Sequence, residues 1–531
     1  YTPFSQPSSG RYHLFANTTL RNGSGLPLLR VALHQPYRIW EWVSIERPVA
    51  GSRAEDGTNG PFINSIQDYV VRVKVCDASV GLEDNCTTYA NGSHKPLGLL
   101  QEFGENNAML FGLITGSYDN NLAGGVLRKN ISSITDEIDL NTGQFTSVNG
   151  IIATLDRLTV TGFKTDYTYD CGWITTRNIH NGECQMWGNP IAEMMYEAVR
   201  YFAGKANPTA SFNTAGGTDD SLGLPNPTWV NPYSEYPRCA KANMLVISDI
   251  YPTYDSDNVP GSYFNSFTGD LSPALSASAI GQAIFTGEGL ASTLAFIGQS
   301  GDISDGAPTP KTVSSFGNIR GLAPHEANSE GSYYAASVAH YAWTNDVNNA
   351  PGTQNIKSYI IALSSPSSEI AFNVGGNKIS IIPFGKSVKG YNINATEGHY
   401  QPTNSIVDFY IESLTDTHGI FRVNFEDVQQ GADFDMDAIV EYTITVKPDN
   451  TLTVGLKTTY SAGSITQHMG YVISGTTADG VYLEVRDSDT SPTNDPDYFL
   501  DTPPGMLPGE GWEDGQALPT ETTRTFTPSD Q

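Results

Sequence analysis

The sequence is poor in positive charge and has no long apolar run. Among its 531 residues, 29 are Lys or Arg and 57 are Asp or Glu, so the formal net charge is -28. A field of this sign repels phosphate backbones and anionic lipid headgroups. The composition therefore argues against nucleic acid and membrane-surface partners and favours divalent cations. Because no stretch of about 18 apolar residues occurs, the sequence predicts no transmembrane span.

The sequence also lacks an initiator Met and a charged-then-apolar leader, since it begins Tyr1-Thr2-Pro3. We interpret it as an exported protein from which a signal peptide was removed, or as an internal fragment. Charged residues make up only 16%, whereas hydrophobic residues make up 39% and there are 52 Gly and 31 Pro. These values predict a folded, β-rich chain with many turns.

Cysteine is scarce, but its spacing is informative. Cys76 and Cys86 lie ten positions apart, and Cys171 and Cys184 lie thirteen apart. A zinc site is disfavoured because no CxxC spacing or nearby His pair occurs. We predict two local disulfides, with buried free thiols as the alternative, and hence an oxidising compartment. Cys239 is left over, either buried or paired with a residue outside this sequence.

Strand-like and helical patterns alternate in residues 1–365. The predicted strands are Leu28–Leu33, Arg38–Ile45, Tyr69–Cys76, Met109–Thr115, Ile151–Val160, Met244–Ile247 and Lys357–Leu363. Of these, we predict that Met109–Thr115, Met244–Ile247 and Lys357–Leu363 are buried, as the strands of a parallel sheet are. The predicted helices are Asn189–Gly204, 275–298 and Ser332–Trp343. In the first helix, one predicted apolar face consists of Ile191, Met194, Met195, Ala198 and Phe202. Alternating strands and helices predict an α/β domain with a mostly parallel sheet and β-rich insertions.

The pattern changes after residue 365. Short alternating strands separated by Gly, Asn, Asp and Pro predict an antiparallel β-sandwich over residues 366–500. The turn Pro448-Asp449-Asn450 between two alternating strands predicts a hairpin. From residue 501 to 531 the chain is rich in Pro, Gly and acidic residues, which is typical of a linker.

Asp249 follows the predicted strand Met244–Ile247, with Asp255 and Asp257 close behind. Carboxylates at the end of a parallel strand are candidate ligands for Mg²⁺ or Ca²⁺. This placement resembles that of a metal ligand in the von Willebrand factor A fold, so we expect a sheet of that type. The Asp-x-Ser-x-Ser signature of that fold is absent, and the alternative is that these aspartates cap a loop or helix.

A second acidic group combines Glu426 with Asp433, Asp435 and Asp437 in the stretch EDVQQGADFDMDAI. Carboxylates this close repel one another unless a cation lies among them, and calcium is the predicted occupant. The Gly and terminal Glu of an EF-hand loop are missing, so the site is not of that type.

Two further patterns have alternative interpretations, and two hydrolase motifs are missing. Asp487, Asp489, Asp495 and Asp497 predict an acidic solvated loop, with calcium binding as the alternative. Gly124-Gly125 before Arg128-Lys129 predicts a turn rather than a phosphate cradle. No Gly-x-Ser-x-Gly elbow or His-Glu-x-x-His helix occurs, which argues against a hydrolase of either type.

Several long stretches, in constant order, resemble the PilC/PilY family of type IV pilus tip adhesins and biogenesis factors. They include NPIAEMMYEAVRYFAG (189–204), CAKANMLVISDIYPTYDSDNVPGSYF (239–264), GSYYAASVAHYAWTNDV (331–347), FEDVQQGADFDMDAI (425–439) and QHMGYVISGTTADGVYLEVRD (467–487). The resemblance extends from about residue 36 to the C-terminal residue. It rests on many non-repetitive stretches and on no catalytic motif.

The resemblance implies a secreted, non-enzymatic protein at the pilus tip or bacterial surface that acts in pilus assembly, retraction and attachment. Its implied partners are minor pilins and a host or abiotic surface. Most members of the family carry a C-terminal β-propeller with a calcium loop, which would follow the linker 501–531. The alternatives are a structural filament-associated protein without an adhesin role and a carbohydrate-active enzyme, whose carboxylate pair leaves no local signature.

Overall fold

The computed structural model describes the backbone of Tyr12–Arg21, Pro27–Leu33 and Ile66–Val70, and most residues from 74 to 529 with their side chains. Within 74–529, the positions outside the description are 160, 162–170, 172–173, 175, 214–215, 237–239, 250, 323–327, 364–368, 396–398, 427–436 and 503–516. The chain divides into two compact units. Unit 1 comprises Tyr1–Asn120, Gly125–Asp166 and Arg200–Ala240, and unit 2 comprises Asn121–Gly124, Tyr167–Val199 and Lys241–Gln531.

Strands are numbered in chain order. Those of unit 1 are β1 (Tyr12–Arg21), β2 (Pro27–Leu33), β3 (Ile66–Val70), β4 (Cys86–Thr88), β5 (His94–Pro96), β6 (Phe111–Thr115) and β7 (Val126–Ser132). Those of unit 2 before residue 365 are β8 (Ala242–Ser248), β9 (Thr293–Phe296), β10 (Gln299–Ser300), β11 (Ile303–Ser304), β12 (Pro310–Val313), β13 (Ile319–Arg320) and β14 (Ile356–Ala362). The remaining strands are β15 (Ile370–Val374), β16 (Asn377–Lys389), β17 (Ser405–Leu414), β18 (His418–Glu426), β19 (Ala438–Val446), β20 (Leu452–Ser461), β21 (Thr466–Ser474), β22 (Gly480–Arg486) and β23 (Glu521–Phe526).

The α-helices are shorter and fewer among the described residues. They are α1 (Leu99–Gly104), α2 (Ile151–Arg157), α3 (Ile191–Phe202), α4 (Gly217–Ser221), α5 (Pro232–Glu235), α6 (Ala277–Gly287) and α7 (Tyr334–Thr344). Helices α6 and α7 correspond to the predictions over 275–298 and Ser332–Trp343. The first of these predictions is too long, because α6 ends at Gly287 and the chain then forms β9.

Unit 1 is built from small antiparallel sheets. Strands β1, β2 and β3 form one sheet, which includes the predicted strand Leu28–Leu33. The predicted strand Tyr69–Cys76 overlaps β3 at only two residues, and Arg38–Ile45 lies outside the described residues. Strand β6 pairs antiparallel with β7, so the predicted burial of Met109–Thr115 in a parallel sheet is wrong. A two-stranded hairpin leaves β6 half-buried, since few neighbours cover its second face.

The predicted strand Ile151–Val160 is wrong, because its first seven residues form helix α2. Gly150 precedes the helix, and the Thr154 hydroxyl donates a hydrogen bond to the Gly150 carbonyl at 2.6 Å. Ile151 packs in an apolar cluster with Ile134 and Ile138. A short apolar run has no period that separates strand from helix, so this packing decides the outcome.

Among the described strands, β8 and β14 are the one pair that runs parallel, with Leu245 opposite Tyr359 and Ile247 opposite Ile361. The described strands thus form a mixed α/β arrangement and not the predicted, mostly parallel sheet of von Willebrand factor A type. The predicted burial of these two strands is also wrong, since Leu245 is 57% and Ile247 is 56% exposed. A two-stranded sheet has too few neighbours to cover both of its faces.

Helix α3 forms where the sequence predicts it, but it is buried on more than its apolar face. Glu193 and Glu197 are fully buried together with Met195 and Val199. A helix that is buried all round lies inside the molecule rather than on its surface. Its charged residues therefore need partners within the protein, and these partners define the candidate site below.

The predicted β-sandwich is present. One sheet has the strand order β15-β16-β21-β22, and the other has the order β17-β18-β19-β20-β23. Ile381 and Tyr471 from the first sheet pack in one core with Phe425 and Tyr442 from the second. The predicted hairpin joins β19 to β20, and Asn450 has the positive φ of 60° that such turns require.

Strand β23 lies within the predicted linker 501–531, so that prediction is wrong for Glu521–Phe526. The strand pairs antiparallel with β20, with Phe526 opposite Leu452. Thr522 and Phe526 are buried, whereas Thr523 and Thr525 are exposed. The alternation of this segment is typical of a half-buried strand, but the Pro- and Gly-rich stretch before it obscures the signal.

Candidate functional site

Both predicted disulfides are present. Cys76 and Cys86 are bonded with their Cα atoms 5.7 Å apart, and Cys171 and Cys184 are bonded with their Cα atoms 5.0 Å apart. Both distances lie in the usual range for this bond. Cys239 lies outside the described residues. The two bonds close short loops and suit an oxidising compartment.

One group of close metal-ligand atoms occurs among the described residues, namely Cys76, Glu83 and Cys86. Its two sulfur atoms form the disulfide and are not thiolate ligands. Glu83 instead accepts a hydrogen bond from the Cys76 backbone N–H at 2.8 Å. This carboxylate therefore stabilises the loop that the disulfide closes.

Asp249 follows β8, as the sequence predicts, and its carboxylate contacts Asn189, two residues before helix α3. Its Oδ1 accepts hydrogen bonds from Asn189 Nδ2 at 2.7 Å and from the Tyr251 N–H at 3.0 Å. Burial raises the pKa of Asp249 above its usual value, while the hydrogen bonds from Tyr251 and Asn189 oppose that rise. Asp249 thereby joins the loop after β8 to the start of the helix.

Asp255 is fully buried and lies beside the first turn of the same helix. Its Oδ1 accepts a hydrogen bond from the Ser332 N–H at 2.7 Å, and its Oδ2 one from the Ala192 N–H at 3.4 Å. Burial raises the pKa of Asp255 to about 7. Helix N-termini have free N–H groups and partial positive charge, which stabilise carboxylates. Asp255 therefore has the capping role that the sequence leaves open as the alternative to metal binding.

Asp257 contacts Glu193, a residue that the sequence analysis does not identify. Glu193 accepts backbone hydrogen bonds from Gly124 at 2.7 Å and Asn258 at 3.0 Å. Burial, the negative charge of Asp257 and a hydrogen bond with its side chain raise the pKa of Glu193 well above the usual value. Two carboxyl groups joined by a hydrogen bond share a proton.

We call Glu193, Asp249, Asp255 and Asp257 the α3 carboxylate group. Each of the three aspartates contacts residue 189, 192 or 193, at or just before the start of helix α3. Metal binding by Asp249, Asp255 and Asp257 stays a prediction. A neighbouring ion pair links Arg320 to Glu330 at 3.0 Å, and the Arg320 guanidinium lies 4.5 Å from the centre of the Phe264 ring. Glu193 lies outside the apolar face that the sequence predicts for helix α3. The sequence pattern therefore does not indicate that Glu193 is buried.

The second predicted acidic group lies at the end of the β18–β19 pair. Glu426 and Asp437 are both buried, at 3% and 6% exposure. The Asp437 N–H donates a hydrogen bond to the Phe425 carbonyl at 3.1 Å, which ties the backbone of Asp437 to the end of β18. Asp433 and Asp435 lie outside the described residues. Calcium binding at this group stays a prediction.

Two family models match the chain. The model described as "PilY1 homolog, second domain" matches residues 111–342, and the one described as "PilY1 homolog, beta-sandwich" matches residues 372–524. A type IV pilus biogenesis factor PilY1 homolog from Xylella fastidiosa (strain Temecula1) is 44% identical over 595 aligned residues, which cover 100% of this chain and 40% of that relative. The chain belongs to the PilY1 family.

A second match carries the same name and organism. It is 60% identical over 38 residues, which are 7% of this chain and 3% of the relative. Compared with the first relative, this PilY1-family chain spans 40% of that protein's length. No solved structure matches it. Among the helices in the described part of the chain, none is long and apolar enough to cross a membrane.

In the PilY1-family chain, the two basic residues that follow the glycine pair Gly124-Gly125 are already paired with carboxylates. Arg128 donates a hydrogen bond to Asp219 at 2.5 Å, and Lys129 forms ion pairs with Asp136 and Glu137 at 2.7 and 2.6 Å. Both basic side chains are buried in unit 1. These pairs support the interpretation of the motif as structural and not as a phosphate cradle.

The predicted solvated loop with Asp487 and Asp495 is wrong for these two residues. Asp487 is 2% exposed and accepts a hydrogen bond from the Gln467 N–H at 2.6 Å. The Asp495 side chain is fully buried and contacts His468 Nε2 at 2.8 Å. A histidine 27 residues earlier in the sequence binds this acidic stretch, so local pattern does not reveal the contact.

Proposed function

We propose that this chain is the body of a type IV pilus-associated, non-enzymatic assembly factor that promotes surface attachment. The observation that carries the proposal is the match of the whole chain to a relative named as a type IV pilus biogenesis factor. Minor pilins and a host or abiotic surface are the proposed partners, and the pilus tip or cell surface is the proposed location. Because the chain spans 40% of that relative, the activity, partners and location of the whole protein are themselves part of this proposal.

Three physical features support this proposal. The two disulfides suit a protein exported through an oxidising compartment. The net charge of -28 favours basic protein partners and divalent cations over nucleic acid. In the α3 carboxylate group, both oxygens of Asp255 and of Glu193 bind backbone N–H groups, which suits a structural role better than acid–base catalysis.

A deletion of the gene, complemented in trans, tests the proposal. We expect the deletion to reduce surface pili and attachment and the complemented strain to recover both. Normal pilus number and attachment in the deletion strain would contradict the proposal. Immunogold labelling tests the location: label at filament ends supports the tip, whereas label along filaments supports a structural filament protein without an adhesin role. A glycan-turnover screen tests the carbohydrate-active alternative.

We also propose that Glu426 and Asp437 form part of a calcium site together with Asp433 and Asp435. The supporting observation is that Glu426, the last residue of β18, and Asp437, the residue before β19, are both buried. Calcium in proteins is bound by six to eight oxygen atoms, many of them from carboxylates. Titration calorimetry of the whole chain with calcium, and with magnesium as the control, tests this proposal. The absence of a heat of binding that is specific to calcium would contradict it.

A further inference from the structure

The segment 487–502, which we call the strap, lies against the outer face of the four-stranded sheet of the sandwich. Tyr498 and Leu500 of the strap pack in an apolar cluster with Phe384, Val472 and Leu483 of the sheet. The Leu483 N–H donates a hydrogen bond to the Leu500 carbonyl at 3.3 Å. The strap therefore covers apolar side chains that would otherwise face solvent.

Beneath the strap, three basic side chains form a row across adjacent strands. Lys386 on β16 lies opposite His468 on β21, and His468 lies opposite Arg486 on β22. All three residues are buried, at 0%, 0% and 8% exposure. Like charges directly opposite each other are unfavourable unless acidic groups lie close by. The strap supplies such groups in Asp495 and Asp501.

His468 binds two carboxylates of the strap. Its Nδ1 lies 2.7 Å from Asp501 Oδ1, and its Nε2 lies 2.8 Å from Asp495 Oδ1. Because a carboxylate only accepts, both ring nitrogens carry protons and the imidazole is charged. The remaining oxygens accept backbone hydrogen bonds, Asp501 Oδ2 from Tyr498 at 2.9 Å and Asp495 Oδ2 from Leu518 at 2.8 Å.

The charge balance of this cluster depends on pH. Burial lowers the pKa of His468, but the charge of Asp501 and the hydrogen bonds with Asp495 and Asp501 outweigh burial and raise it to about 10. Burial raises the pKa of Asp501 to about 6. Burial also lowers the pKa of Lys386 to about 7, so His468 remains charged after Lys386 loses its proton.

We propose that the strap is a pH-sensitive closure that charged His468 holds shut over the apolar outer face of the sandwich. When His468 loses its proton, Asp495 and Asp501 face each other without the cation between them. Their repulsion releases the strap and exposes Phe384, Val472 and Leu483. Opening of the strap therefore converts buried apolar side chains into an exposed apolar surface.

The direction of the pH effect follows from the raised pKa of His468. Its contribution to closure is complete below the ordinary histidine value of about 6.5. It is lost as the pH rises through the folded-state pKa of about 10. The strap is thus closed at neutral pH and opens in alkaline solution.

The first experiment follows the histidine rings of the full chain by NMR during a pH titration. We expect one histidine to keep both ring protons to about pH 10, and this resonance to be missing in His468→Gln. His418 serves as a matched control, since its ring contacts the Thr445 hydroxyl at 3.0 Å on the other sheet. His418→Gln should leave the resonance in place. A His468 resonance that titrates near 6.5 would overturn the proposal.

The second experiment measures cleavage of the strap by subtilisin, relative to cleavage of an unstructured peptide at the same pH. For the native protein we expect the relative cleavage rate to rise at least about tenfold between neutral pH and pH above about 10. Loss of the charge on His468 weakens two charge-assisted hydrogen bonds, and each such bond stabilises the closed strap by more than a tenfold change in the opening equilibrium requires. His468→Gln should be cleaved at the fast rate at neutral pH. His418→Gln should behave as the native protein does.

Two outcomes of the cleavage experiment would overturn the proposal. One is a folded His468→Gln protein whose strap resists cleavage as the native strap does. The other is a native strap whose relative cleavage rate does not change with pH. If His468→Gln does not fold, Asp495→Asn replaces it, because the contact between His468 and Asp501 remains. In that variant strap opening should move to lower pH, and an unchanged midpoint would also overturn the proposal.

Discussion

Lys129 and Glu137 form an ion pair inside unit 1, where water solvates neither charge well. Their side chains are 9% and 1% exposed and the charged atoms are 2.6 Å apart. Glu137 also accepts a hydrogen bond from the Ile152 N–H at 2.8 Å. The carboxylate therefore links β7 to helix α2. Removing the cation leaves a buried negative charge without a counterion.

Lys129→Met should lower the free energy of unfolding by about 3–5 kcal/mol, because a buried carboxylate without its partner is strongly unfavourable. Urea denaturation followed by circular dichroism measures the change. Asp136→Asn is the matched control, since Asp136 also binds Lys129 but its side chain is 47% exposed. The control substitution should lower the free energy of unfolding by less than about 1 kcal/mol. Equal losses in the two variants would contradict the burial argument.

Asp255→Asn should lower the free energy of unfolding by about 1–3 kcal/mol. The carboxylate accepts hydrogen bonds from Ser332 and Ala192 with its two oxygens, whereas an amide has only one acceptor oxygen. Since the folded pKa of Asp255 is raised to about 7, the folded state binds its proton more tightly. Stability should therefore fall as the pH rises from about 4 to 7, and Asp255→Asn should remove this part of the pH dependence.

Asp257→Asn is the control for this variant. It removes a negative charge that faces Glu193, so the loss of a hydrogen bond is offset by relief of repulsion. We expect a change of less than about 1 kcal/mol in thermal or urea unfolding. A cost for Asp257→Asn that equals or exceeds that of Asp255→Asn would show that backbone capping does not distinguish the two aspartates.

Helix α3 shows how an element depends on its surroundings. Its apolar spacing predicts a helix over Asn189–Gly204, and the structure has a helix over Ile191–Phe202, which is two residues shorter at each end. The same pattern predicts a solvated polar face, yet Glu193 and Glu197 are fully buried. Residues from distant segments, such as Asn258 and Asp257, reach Glu193. Sequence periodicity carries no information about such neighbours.

Strand β23 provides a prediction at the level of elements. Phe526 is 2% exposed in the sandwich core and lies 5.3 Å from the Tyr482 ring, measured between ring centroids. Phe526→Ala should lower the free energy of unfolding by about 3–5 kcal/mol, as expected for removal of a buried aromatic ring. Thr525→Ala, at an exposed neighbouring position, should change it by about 0.5 kcal/mol or less.

Chemical denaturation of both variants measures the difference. If residues 521–526 were part of a flexible linker, the two substitutions would have equally small effects. A difference of several kcal/mol between them supports an integral fifth strand in the second sheet.

For the whole molecule, the net charge of -28 predicts self-repulsion that counter-ions reduce. Monovalent salt should raise the melting temperature by general screening. Calcium should raise it further than magnesium at the same ionic strength if the acidic loop binds calcium. Asp437→Asn should remove the difference between the two ions, whereas Asp416→Asn should not, since Asp416 lies on an exposed turn. Equal effects of calcium and magnesium on the native protein would contradict calcium binding.

Several properties of this protein follow from the sequence alone because they depend on local or additive features. Net charge is a sum over residues, and the two disulfides join cysteines only ten and thirteen positions apart. The sandwich strands have an alternation that a single segment reveals, and so does the hairpin at Pro448-Asp449-Asn450. Family membership rests likewise on ordered stretches of sequence.

Other properties were decided only by the tertiary structure, because they depend on residues far apart in the chain. Asp255 and Glu193 of the α3 carboxylate group accept hydrogen bonds from backbone N–H groups about 60 to 80 positions away, as Asp255 does from Ser332. β23 joins β20 across a Pro- and Gly-rich stretch, and Asp495 meets His468 beneath the strap. Burial makes these contacts necessary, since a charge removed from water needs a partner, but only the folded chain determines which partner is near.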